Sequence, residues 1–358
     1  MKQVAIVGTQ GVPARYGGFE TLVENIIGEN CSEGVEYTVF CSSKDLTTKE
    51  NIYKGANLEY INLSANGISS ILYDIISLIK ARKNFDVILV LGVSGCIVLP
   101  LFRLFNRKKL VINIDGLEWK RAKWNWIAKS FLRLSEEFAL RFADVVIADN
   151  QGIVNYVKNR YKKKTVLIAY GSDHVVRELS QENQREVLRK YCVEPKTYSI
   201  TVCRIEPENN CDMILNVFAR SGRRLLFIGN WTRSEYGIKL RKKYSLFDNI
   251  TMQDPVYDLD ELYVLRHNSI SYIHGHSAGG TNPSLVEAMF CGCNIIAFDV
   301  VYNRETTSNQ ARYFKDMIDL AILTVDKDLV QNSNCMINIA RERYTWRNIA
   351  QKYESLYE

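Results

Sequence analysis

The sequence lacks an apolar run long enough to cross a membrane. Its longest stretch without Asp, Glu, Lys, Arg or His, Val87–Phe102, has 16 residues and contains Gly92, Gly95 and Pro100, whereas a membrane-spanning helix needs about 20 apolar residues. The stretch therefore predicts a buried strand followed by the start of a buried helix. With 47% hydrophobic and 24% charged residues, the 358-residue chain has the composition of a soluble globular protein of about two domains.

A cysteine framework is also absent. The nine cysteines are scattered along the chain, and an odd number without regular spacing is typical of reduced thiols in the cytoplasm. The close pair Cys291 and Cys293 has no second pair to complete a zinc site, and no third ligand accompanies His274 and His276. We therefore predict a cytoplasmic protein with no metal ion and no other cofactor.

Strong charge of either sign is missing too. The net charge of +6 is too weak to indicate nucleic-acid binding, although it suits an acidic substrate. Nine lysines and arginines lie between Arg103 and Arg133, interleaved with Trp119, Trp124 and Trp126. Such a mixture is typical of contact with an anionic membrane surface, here the inner face of the plasma membrane. A solvated face over core aromatic residues is the alternative interpretation.

What the chain does contain is a regular alternation of strands and helices. Apolar runs such as Val4–Gly8 and Val87–Leu91 are typical of parallel strands that are covered on both faces. Helical patterns such as Ile68–Lys83 lie between most of these runs, and a second series begins near Tyr198. The pattern predicts an α/β fold of two doubly wound, Rossmann-like domains, with a border in the polar residues 171–197.

The most informative loop leads from the predicted strand Ile270–Ile273 into a predicted helix. Gly279 and Gly280 allow a ligand to approach the backbone closely. Thr281 or Asn282 can cap the helix, whose first position is a proline. Free N–H groups at such a helix start bind anions.

Polar side chains surround this helix start. His276 lies on the loop, Ser284 in the first turn, and Glu287 about one turn further on, where its carboxylate can accept hydrogen bonds from hydroxyl groups. Phosphate together with hydroxyls indicates a nucleotide sugar as ligand. An ordinary strand-to-helix turn is the alternative.

A similar junction follows the strand Val4–Gly8. Its loop carries Arg15 and ends at Gly17 and Gly18, directly before a helix. It is not the G-x-G-x-x-G dinucleotide motif, and a simple tight turn is equally consistent with it. Because ligands of such sheets bind beyond the carboxyl ends of the strands, we expect both glycine loops to face one interdomain cleft.

Charged residues follow two other predicted strands. Arg204 ends the first strand of the second domain, where a guanidinium can pair with a diphosphate. Asp115 and Glu118 follow a strand of the first domain and can orient or deprotonate an acceptor hydroxyl, while Lys120 and Arg121 can bind acceptor phosphate. A surface arginine and a plain Asp-Gly turn are the alternatives.

With these motifs the chain resembles retaining glycosyltransferases of the GT-B fold, of the family 4 type, over nearly its whole length. The marks are Gly17–Glu20, Arg204 and Thr281–Ala288. More narrowly, Val12–Thr21 and Asp115–Arg121 resemble the bacterial subfamily of capsule rhamnosyltransferases, with its DUF1972-type first domain.

The resemblance implies metal-independent transfer of a sugar from a dTDP- or UDP-sugar, with dTDP-L-rhamnose as the favoured donor, to a lipid-linked saccharide. It implies an acceptor-side domain, 1–172, to which a final helix, 346–357, crosses back, and a donor domain, 173–345. Asp115, Arg204 and Glu287 are the expected catalytic residues. The expected donor-binding residues are Arg15, Gly17, Gly18, Arg204, His276, Gly279, Gly280, Thr281, Asn282, Ser284 and Glu287. We expect Arg204→Ala and Glu287→Ala to fold normally and to lose transfer.

Three positions depart from the family pattern. The first of two family glutamates falls on Gly279, a lysine falls on Asn209, and a first-domain histidine is replaced by Asp115. We interpret these changes as tuning of donor choice. A catalytically inactive subunit that binds nucleotide sugar, and a nucleotide-sugar epimerase of the same fold, remain as alternatives.

Overall fold

The computed structural model describes residues 1–14, 17–32, 34–47, 49–120, 124–325 and 332–358. These residues form two units: Met1–Gly171 together with Trp346–Glu358, and Ser172–Thr345. Each unit is a largely parallel β-sheet whose strands are joined by helices. The predicted α/β class with two Rossmann-like domains is therefore confirmed.

The first unit contains an eight-stranded sheet. Its strands are β1 (Lys2–Val7), β2 (Val35–Ser42), β3 (Ile52–Tyr53), β4 (Ala56–Ile61), β5 (Val87–Leu91), β6 (Lys109–Asn113), β7 (Val145–Ala148) and β8 (Val166–Leu167). They are ordered β3-β4-β2-β1-β5-β6-β7-β8 and pair in parallel, apart from β3 with β4. The central strand β5 is an unbroken apolar run because both faces of the sheet are covered there, and every one of its residues is buried.

Helices connect these strands. They are α1 (Gly18–Glu29), α2 (Ser69–Ala81), α3 (Leu99–Phe105), α4 (Trp126–Phe142) and α5 (Gln151–Tyr161). The connection from β1 to β2 through α1 runs toward one edge of the sheet, whereas the connections through α2, α3 and α4 run toward the other edge. Because such crossovers are right-handed, α1 lies on one face of the sheet and α2, α3 and α4 lie on the opposite face.

The second unit contains a six-stranded parallel sheet. Its strands are β9 (Tyr198–Val202), β10 (Arg224–Ile228), β11 (Ile250–Gln253), β12 (Ser271–His274), β13 (Ile295–Phe298) and β14 (Arg312–Phe314), in the order β11-β10-β9-β12-β13-β14. Its helices are α6 (Gln181–Lys190), α7 (Cys211–Ser221), α8 (Glu235–Tyr244), α9 (Leu259–His267), α10 (Pro283–Phe290), α11 (Val301–Thr306), α12 (Met317–Val325) and α13 (Ser333–Arg343).

The polar stretch 171–197, interpreted from the sequence as a domain border, contains helix α6. Ser180 caps this helix, since its hydroxyl accepts a hydrogen bond from the Asn183 N–H at 3.1 Å. Leu188 is its one buried residue. A helix with a single buried position has no apolar period, so the pattern that revealed the other helices could not show this one.

The C-terminal helix α14 (Trp346–Ser355) is part of the first unit. Its side of the core includes Trp346, Ile349 and Tyr353. Tyr353 also accepts a hydrogen bond from Asn113 Nδ2 at 2.7 Å, which ties the helix to the end of β6. At Gly171 a Cβ would lie 2.5 Å from the Trp346 ring, so only glycine fits there.

Candidate active site

The helix start that the sequence singled out forms as expected at α10. Asn282 is its cap, and its Oδ1 accepts a hydrogen bond from the Ser284 N–H at 3.0 Å. Pro283 occupies the first turn, and Leu285, Ala288 and Met289 are buried. The predicted cap and buried face are confirmed. Because Ser284 N–H bonds to the cap and Pro283 has no N–H, an anion here must be bound by the loop before the helix.

Gly279 explains one departure from the family pattern. Its backbone φ is +125°, a conformation that residues with a side chain rarely adopt. A Cβ at this position would also lie 3.0 Å from Nε2 of His276. The loop is therefore built around glycine at the position where related proteins carry a glutamate.

Asn209 accounts for the second departure. This buried residue donates from Nδ2 to the Arg204 carbonyl at 2.6 Å, so its Oδ1 must accept the hydrogen bond from Nδ1 of His276 at 2.7 Å. A neutral amide thus connects the Arg204 loop to the α10 loop at the point where the family has a lysine. The arrangement fixes the proton of His276 on Nδ1.

Arg204 lies just beyond β9, which pairs directly with β12. Its side chain is 38% exposed, and its ion pair among the described residues is a long one, 3.9 Å from Nε to Glu206 Oε2. Ser284 of α10 contacts the same segment, because its Oγ donates to the Val202 carbonyl at 2.9 Å. The Arg204 loop and the start of α10 therefore lie at one edge of the sheet.

Glu287 is held by a residue that the sequence analysis missed. Arg266 of α9 has a side chain only 1% exposed, and its Nη2 donates to Glu287 Oε2 at 2.5 Å and to Ser284 Oγ at 3.2 Å. Burial alone would lower the pKa of Arg266, but Glu287 together with Cys291, Tyr272 and Cys293 raises the pKa above its ordinary value. The pair fixes the position of the Glu287 carboxylate, whose side chain is 21% exposed. The sequence contains a signal for the burial of Arg266, because this residue follows the buried Leu262 by one helical turn.

Two other residues at this edge that we predicted to bind the donor are Ser284 and Thr281. The Ser284 hydroxyl contacts Val202, Arg266 and the Tyr272 hydroxyl, the last at 2.7 Å. Thr281 is buried. His174 packs nearby, and burial lowers its pKa against the opposing effect of Glu287.

In the first unit, Asp115 directly follows β6 in a left-handed conformation with φ +58°. Its N–H bonds to Asn113 Oδ1 at 2.9 Å, and its Oδ1 accepts a hydrogen bond from the Tyr170 hydroxyl at 3.3 Å. Glu118 Oε1 accepts from Trp124 Nε1 at 3.1 Å. These contacts hold in place both carboxylates that we predicted from the sequence to lie on the acceptor side.

The other two residues predicted to lie on the acceptor side are Lys120 and Arg121. Lys120 is exposed and lies over the Trp119 ring, 5.6 Å from its centroid. Trp119 Nε1 in turn donates to the buried Glu136 at 3.1 Å. Arg121 lies outside the described residues, as does Arg15 of the N-terminal loop.

The glycine junction before α1 differs from the one before α10. Gly17 has φ +132°, and a Cβ there would lie 1.9 Å from Glu20 Oε2. The other Glu20 oxygen accepts hydrogen bonds from Thr9 Oγ1 and the Gln10 N–H, both at 2.9 Å. A carboxylate thus already lies at this positive helix end. Donor binding by Gly17 and Gly18 stays a prediction.

Within the described residues, no group of three or more His, Cys, Asp or Glu side chains is arranged to hold a metal ion. In the same part of the chain, none of the helices combines the length and apolarity that crossing a bilayer requires.

Comparison with known proteins identifies the class to which this protein belongs. Residues 1–173 match the family model described as a domain of unknown function (DUF1972), and residues 180–315 match "Glycosyl transferases group 1". No curated protein sequence matches the chain. The two family matches, together with the fold, identify the chain as a glycosyltransferase of the GT-B fold.

Solved structures share this fold at low sequence identity. Sucrose-phosphate synthase from Thermosynechococcus elongatus has a TM-score of 0.83 at 16% identity, covering 100% of this chain and 98% of that chain. Anabaena HepE in complex with UDP-glucose has a TM-score of 0.76 at 16% identity, covering 99% of both chains. The catalytic domain of starch synthase IV from Arabidopsis thaliana, bound to ADP and acarbose, has a TM-score of 0.74 at 12% identity, covering 99% and 98%.

Proposed function

We propose that the protein is a retaining, metal-independent transferase that moves L-rhamnose from dTDP-L-rhamnose to a lipid-linked saccharide. The observation that carries the proposal is the edge of the second sheet. There the partly exposed guanidinium of Arg204, the glycine loop before α10 and the fixed carboxylate of Glu287 lie on joined segments. Cation, backbone donors and carboxylate match the diphosphate and the sugar hydroxyls of a nucleotide.

In this proposal the positively charged groups and the carboxylates have different roles. As the bond from the sugar C1 to the phosphate oxygen breaks, negative charge grows on the departing diphosphate, and Arg204 and the loop N–H groups of Gly279–Asn282 stabilise it. Glu287 accepts a hydrogen bond from the ribose or deoxyribose hydroxyl. The acceptor oxygen bonds to C1 on the face that the diphosphate leaves, and its proton passes to a phosphate oxygen. Asp115 orients the acceptor hydroxyl.

Support for the donor and for the acceptor comes from different sources. A nucleoside diphosphate sugar is the ligand in the HepE complex, which shares the fold. The rhamnose assignment rests on the resemblance of Val12–Thr21 and Asp115–Arg121 to capsule rhamnosyltransferases. The lipid-linked acceptor rests on the basic, tryptophan-containing segment 103–133, in which Trp126 is 76% exposed. We place the protein in the cytoplasm, peripheral to the inner face of the plasma membrane.

A specific observation also keeps the inactive binding subunit as a second candidate. Asn209 and Gly279 are both locked into the loop structure and supply no charge where the family has a lysine and a glutamate. Such a protein would bind the nucleotide sugar without turning it over.

A panel of purified nucleotide sugars separates the candidates. We expect binding of dTDP-L-rhamnose by calorimetry, and release of dTDP when a lipid-linked saccharide is added. Binding without release in the presence of acceptor identifies the inactive subunit. Absence of binding to any nucleotide sugar rejects both proposals.

A further inference from the structure

Helix α2 presents a row of large apolar residues to the outside, while its buried face carries polar groups. Ile68, Leu72, Ile76 and Ile79 follow helical spacing and are all exposed, Ile68 to 87%. The buried face of the helix instead includes Tyr73, Asp74 and Ser77, as well as Leu78 and Ala81. A surface helix of a globular protein normally has the opposite arrangement.

The polar groups inside fix this orientation. The Tyr73 hydroxyl donates to one of two backbone carbonyls that it contacts, Thr9 at 2.9 Å and Phe40 at 2.8 Å. Ser77 Oγ bonds to the Tyr73 carbonyl at 2.7 Å, and Asp74 accepts a hydrogen bond from Ser94. Turning the helix to bury its isoleucines would break the hydrogen bonds of Tyr73 and Asp74 to residues outside the helix, so the exposed row is part of the fold.

The apolar surface continues on α3. Leu101, Leu104 and Phe105 are exposed there, Leu104 to 75%. Asn106 Nδ2 donates to the Arg82 carbonyl at 3.4 Å, which brings the C-terminal ends of α2 and α3 together. Both helices cover the same face of the sheet, so their exposed residues form one α2–α3 face.

Positive charge borders this face where the two helices end. Arg82, Lys83 and Arg107 are exposed at the joined ends. The acidic residues of the surroundings are engaged: Glu59 pairs with Lys80 at 2.9 Å, and Asp86 accepts a hydrogen bond from the Gln3 N–H at 3.0 Å. An apolar face bordered by basic residues is complementary to an anionic bilayer, whose phosphates surround an apolar interior.

We propose that the α2–α3 face inserts into the head-group region of an anionic lipid bilayer, with Arg82, Lys83 and Arg107 on lipid phosphates. This places the membrane contact on α2 and α3, and it shares only Leu104, Phe105 and Arg107 with the basic, tryptophan-containing segment 103–133. The inference rests on the proposed function for its purpose, because a lipid-linked acceptor is presented at a bilayer. The binding itself needs no substrate.

Vesicle sedimentation with the full chain tests the proposal. Wild-type protein should bind phosphatidylcholine vesicles that contain phosphatidylglycerol and bind pure phosphatidylcholine much more weakly. Leu72→Gln/Ile76→Gln should lose binding to both, since glutamine keeps the helix and removes the apolar row. The matched control, Ile238→Gln on α8, changes an equally exposed isoleucine of the other unit and should bind like wild type.

A variant without the three basic residues measures how much their charge contributes to vesicle binding. Arg82→Gln/Lys83→Gln/Arg107→Gln should weaken binding to anionic vesicles on the order of 100-fold, because each basic residue near such a surface contributes about fivefold. Lys239→Gln/Lys242→Gln, which removes exposed lysines of α8, is its control. Wild-type binding by both α2–α3 variants, or no binding by the wild type, would overturn the proposal.

Two further measurements separate this inference from others. If sedimentation equilibrium shows a dimer that Leu72→Gln/Ile76→Gln dissociates, a second copy of the chain covers the face and the lipid proposal is wrong. Nucleotide-sugar binding by calorimetry should be unchanged in the α2–α3 variants. A chain that binds donor and ignores vesicles contradicts this inference alone, whereas one that binds vesicles and no nucleotide sugar contradicts the proposed function alone.

Discussion

Removal of the Glu287 carboxylate should destabilise the second unit as well as abolish transfer. In Glu287→Ala the guanidinium of Arg266 stays buried and charged, with Ser284 Oγ as its remaining described hydrogen-bond partner. Breaking a buried ion pair on one side costs about 3–5 kcal/mol. Because the Glu287 side chain keeps 21% exposure, we expect the lower end of this range. The sequence-based expectation that this variant folds normally is therefore revised.

Calorimetric melting measures the effect, and a loss of about 3 kcal/mol corresponds to about 6–12 °C in Tm for a unit of this size. Arg266→Met should cost less, since the Glu287 carboxylate that remains can be hydrated. In the double variant Arg266→Met/Glu287→Ala the uncompensated charge is gone, so its loss should be clearly smaller than the sum of the single losses.

The same set of variants separates the role of Arg266 in positioning Glu287 from its role in stability. Arg266→Met should still bind nucleotide sugar, but more weakly than wild type, because Glu287 is present and no longer fixed. A melting temperature of Glu287→Ala within 2 °C of wild type, roughly half a kcal/mol, would refute the reasoning, as would strictly additive losses in the double variant.

Three other variants test the remaining features. Arg204→Ala should melt like wild type, because the side chain is exposed and its ion pair is long, yet nucleotide release should fall about 10²–10³-fold; normal turnover would contradict this. Gly279→Ala should lose about 1–3 kcal/mol in urea unfolding, because its φ of +125° strains any side chain; Gly34→Ala, at an exposed glycine with open space around its Cβ position and no positive φ, is the control. Burial lowers the pKa of His274 well below its ordinary value. The native state therefore binds fewer protons than the unfolded state, and stability should fall as the pH drops through about 6.5; His274→Gln should flatten this dependence, and an unchanged slope would exclude His274 as its source.

Local signals in the sequence were sufficient for α10. Asn282, Pro283 and the buried Leu285 and Met289 occupy fixed positions relative to the helix start, so cap, first turn and inward face follow from neighbours in the chain. The strand β5 was equally clear, since its five residues are apolar and buried on both faces.

Contacts between distant residues could not be predicted in this way. Arg266 lies 21 residues before Glu287, and no spacing rule pairs them. The period of α2 showed two faces, but which of them is inward depends on the carbonyls of Thr9 and Phe40, far away in sequence. The carboxylate of Glu20 at the α1 start is also a product of folding, since it bonds to a loop ten residues earlier.

The most direct test of the central claim is calorimetric titration of the full chain with dTDP-L-rhamnose, alongside Arg204→Ala and Arg241→Ala. Arg241 is an arginine of the same unit with similar exposure, paired to Asp254 at 2.9 Å. We expect saturable binding to wild type and to Arg241→Ala, with binding lost or strongly weakened in Arg204→Ala. Equal affinity in all three proteins would contradict a nucleotide-sugar site at Arg204.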